Sequence, residues 1–253
     1  MEKILDLANQ FYLWDPNEGS KKLLKDILES NDCHKELSIL FSNRIAFGTA
    51  GLRANMGPGY TRMNDLVILQ TCQGLAAYLS GVLGLETSRD RGIVIGYDHR
   101  KSGTLSSLGF ARISAAVFLS RGYKVFLLEN YVPTPFVAFA TIHLNCAAGI
   151  MVTASHNPKS DNGFKVYWGN GSQIIPPHDI GIASAILENL CPTQVYDTNA
   201  VLENEKTKDV TNIIAKAYYE KLKKLSLYPQ QNLESKLKVI YSAMHGVGSK
   251  WVI

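Results

Sequence analysis

The sequence predicts an α/β fold in which a mainly parallel, mixed sheet is covered by helices. Between residues 93 and 168, short apolar strands alternate with amphipathic helical stretches, the order that builds parallel sheets from crossover units. Polar, glycine-bearing loops follow the strand ends, where open sheets of this kind bind ligands. The composition, 46% apolar and 19% charged, is that of a globular chain.

Each element has its own signal. Residues 1–44 read as a helical extension, with Ile4, Leu5, Ala8, Phe11 and Tyr12 on one face of the first helix. Asp15-Pro16-Asn17 breaks that helix, and two more follow over about 20–29 and 33–42. Residues 45–53 read as a strand loosened by glycines, followed by the turn Gly57-Pro58-Gly59. Asn64 or Asp65 caps a helix running to about Gly84, with Leu66, Leu69, Leu75, Ala76 and Leu79 on its apolar face. A strand over 93–98, a helix to about Arg121, a strand over 124–128 and a helix over 134–144 come next, Pro135 fitting a first turn. Residues 147–152 form a buried strand and 164–168 an alternating, aromatic-rich one. From Cys191 to Asp209 the pattern fades into polar residues, which places a domain boundary there. An amphipathic helix over 211–227, a strand over 237–241 and the glycine-rich 244–248 then open a second α/β domain. The expected division is 1–44, 45–195 and 208–253.

Net charge, +4 over 253 residues, is too small to argue for nucleic acid. The four cysteines, Cys33, Cys72, Cys146 and Cys191, form no C-x-x-C pair and read as buried thiols of a reducing compartment. The first residues lack a secretory pattern, and no apolar run approaches the roughly 20 residues that span a bilayer. A cytoplasmic protein without a membrane partner is expected.

The chemistry is concentrated in Thr153-Ala154-Ser155-His156-Asn157-Pro158 and its continuation Asn162-Gly163-Phe164-Lys165. Ser155 and His156 lie where a core strand gives way to a polar loop. Asn157-Pro158 stops regular structure, and Asp161-Asn162-Gly163 reads as a second turn with Gly163 at positive φ. The loop then doubles back and brings Lys165 towards Ser155. A hydroxyl, an imidazole and an ammonium together suit phosphate chemistry. Taken alone, Ser155-His156 is an ordinary polar turn, and only the surrounding 13-residue motif reverses that reading.

This stretch resembles the phosphoserine loop of the α-D-phosphohexomutases. Phe47-Gly48-Thr49-Ala50-Gly51-Leu52-Arg53, followed by Gly57-Pro58-Gly59-Tyr60-Thr61-Arg62-Met63-Asn64-Asp65, is similar to that family's first motif in its phosphoglucomutase-2 and phosphopentomutase branch. Gly96-Tyr97-Asp98-His99-Arg100-Lys101-Ser102-Gly103 resembles its G-x-D-x-R-x-S-G element. The resemblance implies that Ser155 carries a phosphoryl group and that Arg53 lies against the phosphoserine and the sugar phosphate. Guanidinium suits that place because it stays charged and binds phosphate oxygens bidentately. Asp98 and Arg100 would shape the loop around the phosphoserine; their plainer reading is an exposed ion pair, as Arg53's is a surface arginine at a turn.

The implied reaction moves phosphate between the 1-position and the 5- or 6-position of ribose, deoxyribose or glucose, through a sugar bisphosphate primer. Lys165, Arg53 and Mg²⁺ on the phosphate of Ser155 would stabilise charge, and His156 or Lys165 would carry the proton. A sister group makes glucose 1,6-bisphosphate with the same loop. In the family an Asp-rich loop of a second domain holds Mg²⁺, and no such D-x-D-x-D/N-R triplet occurs here. The chain thus resembles the N-terminal portion of a four-domain enzyme, a truncated product or partial gene model. It is expected to be inactive alone, to fold incompletely near its C-terminal end and to be trimmed by proteases after about Cys191. Two other classes compete. One is a non-catalytic sugar-phosphate-binding fragment, favoured by the missing Asp loop. The other is a serine hydrolase, disfavoured because adjacent Ser155 and His156 rarely reach nucleophile–base geometry and no G-x-S-x-G is present.

Overall fold

The computed structural model describes residues 2–49 and 51–252. Ala50 of the first motif lies outside the described residues. Three helices come first: α1 (Glu2–Trp14), α2 (Glu18–Leu28) and α3 (Cys33–Phe41). Asn17 caps α2, its side chain accepting from Ser20 N at 3.0 Å. Ala8 and Phe11 of α1 are buried, whereas Tyr12, expected on the same face, is exposed. The extension is joined to the main body by three edge-on rings, Phe11, Phe41 and Tyr60, whose centroids lie 5.6–5.7 Å apart.

The strand expected over 45–53 is instead β1 (Leu52–Asn55). The residues before it make a tight Gly48–Gly51 turn, with Gly51 at φ +75°. A Cβ at Gly51 would stand 1.8 Å from the Phe164 carbonyl oxygen, so the turn lies directly on a neighbouring strand. Then follow α4 (Asp65–Leu83), α5 (Leu85–Arg91), β2 (Ile93–Tyr97), a two-stranded ribbon of β3 (Lys101–Ser102) and β4 (Leu105–Ser106), and α6 (Ser107–Ser120). Neither α5 nor the ribbon has an apolar period, which is why the sequence does not announce them. The chain continues through β5 (Val125–Leu127), α7 (Thr134–His143), β6 (Ala148–Val152), β7 (Asp161–Trp168), α8 (His178–Glu188), β8 (Thr207–Asp209) and α9 (Thr211–Lys223).

Six strands form one sheet in the order β1-β7-β6-β2-β5-β8. The pairs β6-β2, β2-β5 and β5-β8 are parallel, while β7 runs antiparallel to both β6 and β1. Alternate residues separate two cores. Ile93, Ile95, Ala148, Ile150, Phe164 and Val166 belong to one, with α4 and α6. Val94, Met151 and Tyr167 belong to the other, with Phe136 and Val137 of α7 and Ile214 of α9.

Among the described residues α4 is the helix long and apolar enough to cross a membrane. It is a core helix all the same. Gln70 and Gln73 are buried and donate to the carbonyls of Leu190, Asn189 and Cys191, tying α4 to the end of α8. Of the four thiols, Cys72 and Cys146 are buried, Cys33 is half-buried and Cys191 is exposed, which corrects the expectation for the last two.

Two further corrections concern the C-terminal part. The polar segment after Cys191 returns to the first sheet: β8 pairs with β5, and Val201, Val210 and Ile214 are buried. The sheet therefore reaches Asp209 and does not stop at 195. Residues 237–241, read as a strand, pair with no strand among the described residues, and Ile240 is 98% exposed. Short helices α10 (Pro229–Glu234) and α11 (Ser249–Val252) flank this stretch. Trp251 lies 4.8 Å from the Phe136 ring and donates from its indole to the Tyr131 carbonyl at 2.8 Å.

Candidate active site

Parallel pairing of β2 with β6 sets Tyr97 beside Val152, so both strands end together. Asp98 and Thr153 are the next residues, and Asp98 N donates to Val152 O at 3.1 Å. The site grows from this shared edge, at the carboxyl ends of the parallel strands.

Ser155 is exposed and has φ +55°, a left-handed conformation uncommon for a residue with a side chain. The expected positive φ at Gly163 is not found. Asp161, Asn162 and Gly163 are the first residues of β7, so the reversal is made earlier, at Ser155 and Asn157–Pro158. Gly163 is needed for another reason: a Cβ there would meet Thr153 O at 2.6 Å and Leu52 O at 3.0 Å, between the two flanking strands.

Lys165, on β7, reaches back and places Nζ 2.7 Å from Ser155 Oγ. Burial lowers the Lys165 pKa; the nearby Arg53 guanidinium lowers it further and the Asp98 carboxylate opposes them. Arg53, on β1, is exposed, and its Nη1 donates to Asn157 Oδ1 at 3.1 Å. Asn157 in turn donates to Asp161 Oδ2 at 2.9 Å, and Asn55 donates to the other Asp161 oxygen.

Asp98 and Arg100 are not a simple exposed pair. Arg100 Nε lies 3.2 Å from Asp98 Oδ2, and both side chains are largely enclosed. The other guanidinium nitrogens donate to four loop carbonyls: Ser155 at 2.8 Å, Asn157 at 2.9 Å, Pro158 at 2.6 Å and Asp161 at 3.0 Å. The loop is wrapped around one cation, whose five donors meet four inward-pointing carbonyls and the Asp98 carboxylate.

The structure thus brings Ser155, Lys165, Arg53, Asp98 and Arg100 together. His156 stands beside them, exposed, with no hydrogen bond among the described residues. Asn157, Thr153, Ser107 and Asn162 complete the cluster without having been singled out from the sequence. Thr153 and Asn162 sit within the quoted motif; Ser107 is joined to it only by folding.

A Mg²⁺ site is not assembled from these residues. Among the described residues no three His, Cys, Asp or Glu side chains converge to hold a metal. Both Asp98 oxygens are already engaged, Oδ1 by Ser107 and Oδ2 by Thr153 and Arg100. A hard cation that prefers six oxygens finds no carboxylate cage here.

Over residues 44–190 the chain matches the phosphoglucomutase/phosphomannomutase alpha/beta/alpha domain I. The chain belongs to this family. Within the α-D-phosphohexomutase superfamily it is similar to a Homo sapiens phosphopentomutase, 45% identical over 247 residues that cover 96% of this chain and 40% of that protein. A Homo sapiens glucose 1,6-bisphosphate synthase is 40% identical over 252 residues, covering 98% of this chain and 40% of that one. The solved open form of the Paramecium phosphoglucomutase parafusin has a TM-score of 0.60 over 83% of this chain and 41% of its own, and at 16% identity it supports the fold alone. This phosphohexomutase chain spans about two-fifths of the length of the curated relatives it matches.

Proposed function

We propose that this chain carries the phosphoserine of a sugar-phosphate mutase, with Ser155 as the phosphoryl carrier. The observation that carries the reading is the exposed Ser155 Oγ held 2.7 Å from Lys165 Nζ at the sheet's carboxyl edge. In donation the Oγ–P bond breaks, a P–O bond forms to the free hydroxyl of a sugar phosphate, and the Lys165 ammonium returns a proton to Oγ. In the reverse step a sugar bisphosphate restores the phosphate; Oγ attacks phosphorus and its proton passes to the Lys165 amine. Arg53, one strand away, supplies fixed positive charge to the transferring oxygens. Exposed His156 is the neighbouring group left to receive the proton of the incoming sugar hydroxyl. Asp98 and Arg100 hold the loop. With a single phosphate group as its strong ligand Mg²⁺ would not be retained by these residues.

Ribose, deoxyribose or glucose phosphates are the substrates in this reading, with a sugar bisphosphate as primer, in the cytoplasm. The phosphopentomutase relative favours a pentose phosphate. The comparable likeness to a glucose 1,6-bisphosphate synthase keeps that activity as a second reading. Incubation with glucose 1,6-bisphosphate, then intact-mass and peptide analysis, is expected to find one phosphate on Ser155 and none in Ser155→Ala. Phosphate on another residue overturns the assignment. Turnover of ribose 1-phosphate and glucose 1-phosphate by the chain alone, with and without Mg²⁺, is expected to be negligible, and rates like those of an intact mutase would show that the residues here suffice.

A further inference from the structure

Ser155 is held in a backbone conformation that a side-chain-bearing residue seldom adopts, and the reason lies beneath it. Thr153 Oγ1 donates to Asp98 Oδ2 at 2.7 Å and accepts from Ser155 N at 2.9 Å. A hydroxyl has one proton. Because that proton is committed to Asp98, a lone pair of Oγ1 is turned towards the Ser155 amide. Ser107 repeats the arrangement on the other oxygen: its Oγ donates to Asp98 Oδ1 at 2.6 Å and accepts from Asn162 Nδ2 at 2.9 Å. Asn162 Oδ1 then accepts from Gly163 N at 2.8 Å, on β7, the strand that carries Lys165. Asp98, Ser107, Thr153 and Asn162 are all buried. Every donor in the relay points towards one carboxylate, which leaves no alternative orientation for either hydroxyl.

We propose that Thr153, backed by Asp98 and Ser107, is a positioning residue that locks Ser155 in its left-handed conformation and thereby aims Oγ at Lys165. One end of the relay is the Ser155 amide; the other is the Gly163 amide, two residues before Lys165 on the same strand. Arg100 holds the Ser155 carbonyl at 2.8 Å, so the peptide groups on both sides of the serine are fixed. Without the Thr153 bond the serine relaxes towards negative φ and Oγ swings away from the ammonium. The catalytic consequence rests on Ser155 being the phosphoryl carrier; the conformational one does not.

Thr153→Val keeps the shape and removes the hydroxyl, and Thr153→Ser restores it. Two readouts are compared: hydrogen exchange of the Ser155 amide by NMR, and the rate of phosphate loading from glucose 1,6-bisphosphate by intact mass. Thr153→Val is expected to raise amide exchange at least about tenfold and to slow loading by up to roughly 10²-fold, the scale of a displaced reacting group, with the concentration for half-maximal loading little changed. Thr153→Ser is expected to recover both. An amide as protected as the wild type in Thr153→Val, or no recovery in Thr153→Ser, overturns the proposal. Should the wild type take up no phosphate, the phosphoserine reading falls, while the exchange comparison still decides the positioning. If Thr153→Val melts below the assay temperature, Ser107→Ala tests the relay from its far end: faster Ser155 exchange supports it and unchanged exchange overturns it.

Discussion

Lys165 illustrates what a single residue contributes that its place in a motif does not reveal. From the sequence, His156 and Lys165 are equal candidates for the proton; in the fold only Lys165 touches Ser155 Oγ, at 2.7 Å. Lys165→Ala is therefore expected to slow phosphate loading of Ser155 by roughly 10²–10³, with a melt near the wild type's. Normal loading in that variant removes Lys165 from the chemistry. The pH dependence follows from the lowered Lys165 pKa, caused first by burial and then by Arg53. In the proposed mechanism loading uses the neutral amine, so its rate is expected to rise with pH and to level off below the ordinary lysine range. Arg53→Ala removes a neighbouring cation and should move the rising limb to higher pH; a limb that stays in place shows that Arg53 does not tune Lys165. The gathering of Ser155, Lys165 and Arg53 is legible in the sequence because all three lie in short, recognisable motifs beside strand ends. The relay through Thr153, Asp98 and Ser107 is not, because the β2–β6 register and the packing of α6 against β7 create its contacts between residues up to 55 positions apart.

Most elements are legible for the same reason that they fold: caps, prolines and apolar periods agree with the tertiary packing. The N-terminal extension is an example with a consequence for stability. Its α1–α2 junction is packed onto α4, where Asn17 donates to Asp65 Oδ2 at 2.8 Å and Asp15 is only 1% exposed. Burial, helped by the nearby Asp65 charge, pushes the Asp15 carboxyl up to about 7 from 3.8. The folded chain thus keeps a proton there that the unfolded chain releases near 3.8. That proton stabilises the fold fully below the unfolded value, and the stabilisation is lost as pH rises towards about 7. Asp15→Asn keeps an acceptor for the Asn17 amide, now 3.2 Å away, and removes the ionisation. It is expected to melt like the wild type near pH 4 and several degrees higher at pH 8, the gap opening between the two carboxyl values. A gap independent of pH would mean that Asp15 does not titrate in this window. The helices α5 and α8 escape the sequence reading, and so do the smallest pieces: β8, three residues with a polar, half-exposed edge, and the short ribbon β3–β4. Pieces this small have no period to read, and their place is set by the neighbours they pair with.

At the scale of the whole molecule, the sequence and the structure disagree about where the first folded unit ends, and proteolysis distinguishes them. The polar stretch after Cys191 looks like a linker, with Lys206 and Lys208 available to trypsin. In the structure that stretch closes the sheet. Thr207, Lys208 and Asp209 pair with Val125, Phe126 and Leu127, and α9 then packs on α7, with the rings of Tyr218 and Phe136 5.0 Å apart. Cleavage requires a segment to leave its hydrogen bonds and enter the protease in extended form, which a sheet-paired backbone resists. Past α9 the situation reverses. Residues 235–243 pair with no strand among the described residues, and Leu237, Val239 and Ile240 are exposed. Limited trypsin digestion is therefore expected to cut first after Lys236 or Lys238, leaving a stable product that retains β8 and α9. Lys159, exposed in the Ser155 loop, is expected to resist, because Arg100 holds the carbonyls on both sides of it through Pro158 and Asp161. Early cleavage after Lys206 or Lys208 would restore the boundary near residue 195, and early cleavage after Lys159 would show that the Arg100 clasp does not keep the candidate site in order.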